Sequence, residues 1–215
     1  MTTLAPLLAF DLDGTLYRTA SSFVPTMRSL YAEYGLTYPS DPVILRSIGV
    51  PFPAFLDWMI AQGFPDDRAV LAQQLTEVEL ASIRKRGEPF PGVRETLVHL
   101  REAGYAISLC TNGDRQYADT ALTACGIANL FDTLQTNDAR GTSKTELLRR
   151  LLERMPHDRA FMIGDRRYDV MAGRENGCAV IGASYGYGTA DELANANHQI
   201  DSFPQLLTTL HDLRS

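Results

Sequence analysis

Cysteine is scarce in this chain, and the few present do not suggest pairing. The three thiols among 215 residues, Cys110, Cys125 and Cys178, are scattered and lack C-x-x-C spacing. That excludes a disulfide scaffold and a cysteine-ligated zinc site. Buried small hydrophobes in a reducing compartment are the expectation. Long apolar runs are missing too, since a membrane-spanning helix needs about 20 such residues and no stretch supplies them. The apolar segment Leu4–Phe10 is short, lacks a basic leader and runs straight into Asp11 and Asp13, so it reads as neither signal peptide nor anchor. Concentrated positive charge is the third lack. The net charge is -6 and the longest basic run is Arg84-Lys85-Arg86, which argues against a nucleic-acid binder, because such proteins neutralise phosphates with a basic face. Histidine is sparse, and His99, His157, His198 and His211 stand apart without a shared task. The class left standing is a cytoplasmic enzyme acting on a small molecule, with no membrane or nucleic-acid partner. Nothing in the composition demands more than a monomer.

What is present is ordered. Hydrophobic residues make up 45% of the chain, within the range of soluble globular proteins. Leu7–Phe10 is a continuous apolar run, as expected of a fully buried strand. Helical spacing follows. Phe23, Val24, Met27, Leu30, Tyr31 and Tyr34 form one stripe before Gly35, and Asp41-Pro42 opens a short helix. Phe55, Leu56, Met59 and Ile60 stripe a third helix, and Val70, Leu71, Leu75 and Val78 a fourth. No strand pattern interrupts this block, which ends at the Gly/Pro-rich segment from Gly87 to Gly92. Beyond it helix and strand alternate, with strands expected at Tyr105–Cys110, Phe131–Gln135, Ala160–Ile163 and Cys178–Ile181. Ser143-Lys144-Thr145-Glu146 reads as a capping box opening a helix with Leu147, Leu148, Leu151, Leu152 and Met155 on one face. Ser202-Phe203-Pro204 starts the closing helix. Alternating βα units imply an α/β fold, a Rossmann-like parallel sheet core. Residues 1–16 and 88–215 would form that core, and 17–87 an inserted α-helical cap domain.

Ligands of an open parallel sheet sit beyond the carboxyl ends of its strands. The polar stops of the expected strands therefore converge on one rim: Asp11 and Asp13, then Thr111 and Asn112, then Gly164-Asp165 with Asp169 a turn later. Lys144, at the mouth of its helix, can join them. Clustered carboxylates repel one another, and a hard cation such as magnesium relieves that while attracting phosphate oxygens. Aspartate is a recognised nucleophile in phosphoryl transfer. With Asp11 attacking phosphorus, Asp13 two residues on points to the same side and can exchange protons with the leaving alcohol and with water. Gly14 permits the tight turn this requires.

These residues resemble the motifs of the haloacid dehalogenase superfamily of phosphohydrolases. Asp11-Leu12-Asp13-Gly14-Thr15-Leu16 is similar to the first motif, Thr111-Asn112 to the second, Lys144 to the third, and Gly164-Asp165 with Asp169 to the fourth. The segment after the first motif is similar to the family's helical C1 cap, as in phosphoglycolate phosphatase-like members, with Ile48-Gly49 in the loop facing the site. The resemblance implies that Asp11 is the nucleophile and Asp13 the general acid and base. It implies that Asp11, the Asp13 carbonyl and Asp165 hold Mg2+, with Asp169 ligating directly or through water, and that Thr111, Asn112 and Lys144 bind the phosphoryl group of a small phosphorylated metabolite. Tyr17-Arg18-Thr19, Lys144-Thr145-Glu146-Leu147 and Arg166 depart from common family patterns and bear on substrate rather than reaction. A sugar phosphomutase or a nucleotidase would share the motifs. A phosphate-sensing receiver module would share the Asp, the Lys and the ion, but not the cap. A 2-haloacid dehalogenase would need neither magnesium nor Asp13. Arg46, Arg84, Lys85 and Arg86 are read as a solvated cap face, Trp58 as cap core, and Tyr185-Gly186-Tyr187-Gly188 as a loop that either lines the site or lies on the surface.

Overall fold

Strand β1, Leu7–Phe10, is the centre of the molecule in a computed structural model that describes residues 4–138 and 141–213. Its four residues are wholly buried, as a strand with helices on both faces should be. It pairs in parallel with β2, Ala106–Cys110, on one side and β4, Ala160–Gly164, on the other. β3 (Thr133–Gln135), β5 (Ala179–Ala183) and β6 (His198–Ile200) complete a six-stranded parallel sheet in the order β3-β2-β1-β4-β5-β6. That is the doubly wound order, with its switch point between β1 and β4.

Side chains leave the sheet alternately, and the two faces are chemically distinct. Leu8, Phe10, Ile107, Leu109, Phe161 and Ile163 enter a large cluster with Val93, Leu97 and Leu100 of α5 (Val93–Glu102). Helices α6 (Arg115–Ala124) and α10 (Gln205–Asp212) lie on this face too, through Ala118, Ala121 and Leu122 and through Leu206 and Leu210. Ala9, Cys110 and Met162 face the other way, onto Leu147, Leu148 and Leu151 of α7 (Lys144–Arg154) and Ala172 of α8 (Arg167–Glu175). All three cysteines are buried free thiols.

Between β1 and α5 the chain builds only helices: α1 (Ala20–Glu33), α2 (Asp41–Leu45), α3 (Phe52–Ala61) and α4 (Arg68–Arg86). They enclose their own apolar cluster, in which Phe23, Met27, Tyr31, Phe55, Met59 and Leu71 meet. Trp58 is partly buried there and stacks on Phe55, ring centroids 5.6 Å apart. The far end of α4 belongs elsewhere, because Leu80 and Ile83 pack into the sheet's cluster with Tyr17. One rigid helix therefore runs from the helical block onto the core.

Four details differ from the reading of the sequence. Val70 is exposed, at 49%. The covered face of α4 runs through Leu71, Leu75, Leu80 and Ile83, and Val70 lies about 100° away from Leu71 around the helix. Ser143 does cap α7, its hydroxyl accepting from the Glu146 N–H at 3.2 Å. The Glu146 carboxylate, however, turns to Arg149 and Arg150, each at 2.7 Å, because charged donors outcompete a backbone amide. Helix α9 (Ala190–Leu193) and edge strand β6 were not foreseen. They are short, and two of the three β6 residues are exposed, so neither carries a readable apolar period.

Candidate active site

The register of the sheet sets the site. Phe10 is level with Leu109 of β2 and with Ile163 of β4, so these three strands end together. The next residues along are Asp11 after β1, Thr111 just after β2 and Asp165 just after β4. The Asp11 N–H still donates to the Ile163 carbonyl at 2.8 Å, which fixes its backbone. Asp169 stands in the first turn of α8, where its Oδ2 accepts from the Arg166 N–H at 3.0 Å. An acid in a first helical turn also meets the favourable end of the helix dipole. Lys144 is the first residue of α7 and is buried, 5% exposed. Its ammonium donates to Asp11 Oδ1 at 2.5 Å and lies 3.0 Å from Asp169 Oδ1.

One carboxylate oxygen from each of Asp11, Asp165 and Asp169 falls within 4.8 Å of the others. Asp165 is fully buried. Its Oδ2 accepts from the Tyr187 N–H at 2.7 Å, while its Oδ1 has no partner. Gly14, at φ 77, makes this packing possible, because a Cβ there would collide with the Asp165 carboxylate. Gly186 is required for the same reason. The Tyr185–Gly188 loop thus wraps the site: Tyr185 donates to the Thr15 carbonyl at 2.9 Å, and the Tyr187 hydroxyl accepts from the Ala20 N–H at 2.8 Å.

The electrostatics follow from burying several acids around one lysine. Burial, then the charge of Asp169, pushes Asp11 up to about 7 against the lowering effect of Lys144. Burial and its acidic neighbours raise Asp165 well above the carboxylate range. Burial pulls Lys144 down, but Asp11 and Asp169 outweigh it and hold the ammonium above its usual range. Fully ionised, the cluster would carry more negative charge than a single lysine balances. An unpartnered buried oxygen among hard donors at this separation fits a divalent cation.

Asp13 is held differently. Its carboxylate turns from the cluster to accept from the Thr19 hydroxyl at 2.7 Å and the Tyr117 hydroxyl at 2.6 Å. Burial raises its pKa while these two donors lower it. Thr111 is buried, and its hydroxyl oxygen accepts from the Gly113 N–H at 3.1 Å, leaving its hydrogen available. Thr111, Asn112 and Lys144 line one small chamber with Asp11, Asp13 and Asp169. Every sequence-expected site residue therefore reaches one rim. Arg46, Arg84, Lys85 and Arg86 are exposed and line neither this chamber nor the one beside it.

Residues that the motifs did not point to also meet here. Tyr117, on α6, reaches Asp13 across the sheet's end. Arg166 bridges the helical block and the core: its guanidinium donates to the Ile48 carbonyl and to Glu192 Oε2, the latter at 2.9 Å. Glu79 is legible in the sequence, since it interrupts the i, i+4 series Leu71, Leu75, Glu79, Ile83 with a charge.

Comparison with known proteins agrees with this geometry. The family model of haloacid dehalogenase-like hydrolases matches residues 8–183, and the chain belongs to that family. It is similar to a phosphoglycolate phosphatase of Haemophilus influenzae, 29% identical over 98% of this chain and 100% of the relative. It is also similar to the probable phosphatase IndB of Dickeya dadantii, 30% identical over 97% of this chain and 94% of that protein. The fold matches the crystal structure of a predicted phosphoglycolate phosphatase from Haemophilus somnus with a TM-score of 0.86 at 23% identity, over 98% of this chain and all of that one.

Proposed function

We propose that this hydrolase is a magnesium-dependent phosphatase that cleaves a small phosphate monoester through an aspartyl-phosphate on Asp11. The observation that carries the reading is the division of labour among the acids. Asp11 lies against Lys144 within the three-carboxylate cluster, whereas Asp13 is held apart by Thr19 and Tyr117. The phosphatase names of the similar proteins support it.

In this reading the Asp11 carboxylate attacks phosphorus, forming an acyl-phosphate bond as the ester P–O bond breaks. The carboxyl of Asp13 gives its proton to the departing alkoxide, then takes one back from the water that attacks phosphorus. That attack breaks the bond to Asp11 and releases inorganic phosphate. The Lys144 ammonium, the Thr111 hydroxyl and Asn112 hold the phosphoryl oxygens as charge develops on them. Asp11, Asp165 and the Asp13 carbonyl would hold Mg2+, with Asp169 ligating directly or through water, and the ion when bound supplies positive charge that lets Asp11 stay ionised beside a phosphate dianion. Residues 17–87 act as a cap over the site and bound the space open to the substrate's alcohol. A cytoplasmic site of action belongs to the same proposal, supported by three buried free thiols; none of the described helices is long and apolar enough to cross a membrane.

The test is phosphate release from p-nitrophenyl phosphate and a panel of metabolite monoesters. Wild type and Asp11→Asn are compared, each with magnesium and with EDTA. Only wild type with magnesium should turn over. Undiminished release by Asp11→Asn would remove Asp11 from its role. Sugar-phosphate interconversion dependent on a bisphosphate primer, without net phosphate release, would assign the chemistry to a mutase.

A further inference from the structure

Asp13 stands between two chambers. On one side lie Asp11, Lys144, Thr111 and Asp169. On the other, a larger chamber opens between the helical block and the core, and Asp13, Gly49 and Asn112 border both. If Asp13 protonates the leaving oxygen, the phosphoryl group occupies the first chamber and the alcohol must extend into the second. The lining of the second chamber then selects the substrate. That lining is mostly apolar, with Phe23, Val50, Phe52, Phe55 and Leu75 among its walls. It includes no lysine or arginine among the described residues. Glu79 of α4 projects into it.

We propose that Glu79 is the specificity-determining residue of this site, selecting phosphate monoesters of uncharged or amine-bearing alcohols and rejecting those whose alcohol carries a carboxylate or a second phosphate. The inference rests on the phosphatase reading above and deepens it. The Glu79 carboxyl has no hydrogen-bond or ion-pair partner among the described residues, and burial and the charge of Asp13 hold its pKa up at about 8. Its oxygens are thus left to accept from a hydroxyl or an ammonium on the substrate. An ammonium would pair with the ionised form of Glu79 and draw its proton away, whereas an anionic alcohol would add negative charge to a lining that already holds Asp13, Glu79 and Asp114, with no described cation there to offset it. The consequence is specific: although the similar Haemophilus influenzae protein is named a phosphoglycolate phosphatase, glycolate's carboxylate is a poor fit for the chamber in this chain.

Phosphoethanolamine and 2-phosphoglycolate form a matched pair, equal in chain length and differing in an ammonium against a carboxylate. Wild type should show kcat/KM at least about tenfold higher for phosphoethanolamine, and Glu79→Gln should shrink that ratio by about tenfold. Glu79→Lys should reverse the preference. Because each ratio is taken on one preparation, partial loss of folded enzyme cancels. A wild type that prefers 2-phosphoglycolate, or a ratio unmoved by Glu79→Gln, would overturn the assignment while p-nitrophenyl phosphate turnover left the phosphatase reading intact. Absence of p-nitrophenyl phosphate turnover in the wild type would instead sink the phosphatase reading, and this assignment with it.

Discussion

Buried charge does most of the positioning at the scale of single residues. Lys144 reaches Asp11 and Asp169 because α7 starts beside them, and a buried ammonium without such partners would be strongly disfavoured. Glu79 shows the converse, an acid retained in a largely apolar wall without a partner among the described residues. Its pKa of about 8 in the folded chain lies above its ordinary value of 4.5. The folded state therefore holds a proton that the unfolded chain releases, and stability falls as pH rises from about 4.5 towards 8. Glutamine cannot titrate. In urea denaturation Glu79→Gln should gain stability over wild type between pH 5 and pH 8, on the order of 1 kcal/mol or more. A difference that does not change with pH would mean that Glu79 is ionised in the folded protein throughout.

At the scale of elements, placement of the chemistry depends on how helices begin. Ser143 satisfies the Glu146 N–H and so fixes the first turn of α7, from which Lys144 projects. Ser143→Ala should cost about 1 kcal/mol in a denaturation experiment, and KM should rise severalfold as Lys144 loses its anchor. The elements that carry chemistry were the legible ones. β1 is a continuous apolar run, β2 and β4 are largely apolar, and each gives way to a polar residue, while α1, α3, α5 and α7 show a clear 3.6-residue period. What escaped was of two kinds. β6 and α9 lie at the rim of the sheet, where short, half-exposed segments need no apolar pattern. Tyr117, Tyr187 and Arg166 act through contacts across long stretches of chain, such as the 104 residues between Tyr117 and Asp13, and local spacing carries no record of those. Glu146 escaped for a third reason: neighbouring arginines on its own helix offered a better partner than the amide its motif suggested.

Across the whole molecule, the helical block is joined to the core by α4, by Tyr187 against Ala20 and by Arg166. The last is a single side chain holding the Ile48 carbonyl on one side and Glu192 on the other, and the pair with Glu192 is nearly buried, side chains 12% and 6% exposed. Arg166→Ala should free the loop around Ile48-Gly49. Hydrogen exchange there should quicken and KM should rise about tenfold, with kcat less affected. Glu192 keeps Arg167 at 2.9 Å, so global stability should change little. Unaltered exchange at Ile48 would show that α4 and Tyr187 suffice to hold the block down.

The adjacency of β1 and β4 also bears on how the protein comes into being. Asp11 and Asp165 are made far apart in time, and the carboxylate cluster closes only when β4 lies beside β1. A ribosome-bound chain that has not yet emerged past β4 lacks a central partner of its first strand and has no complete carboxylate cluster. Hydrolytic power should therefore arise only once β4 has emerged and paired with β1, and a fragment cut before β4 should be inert.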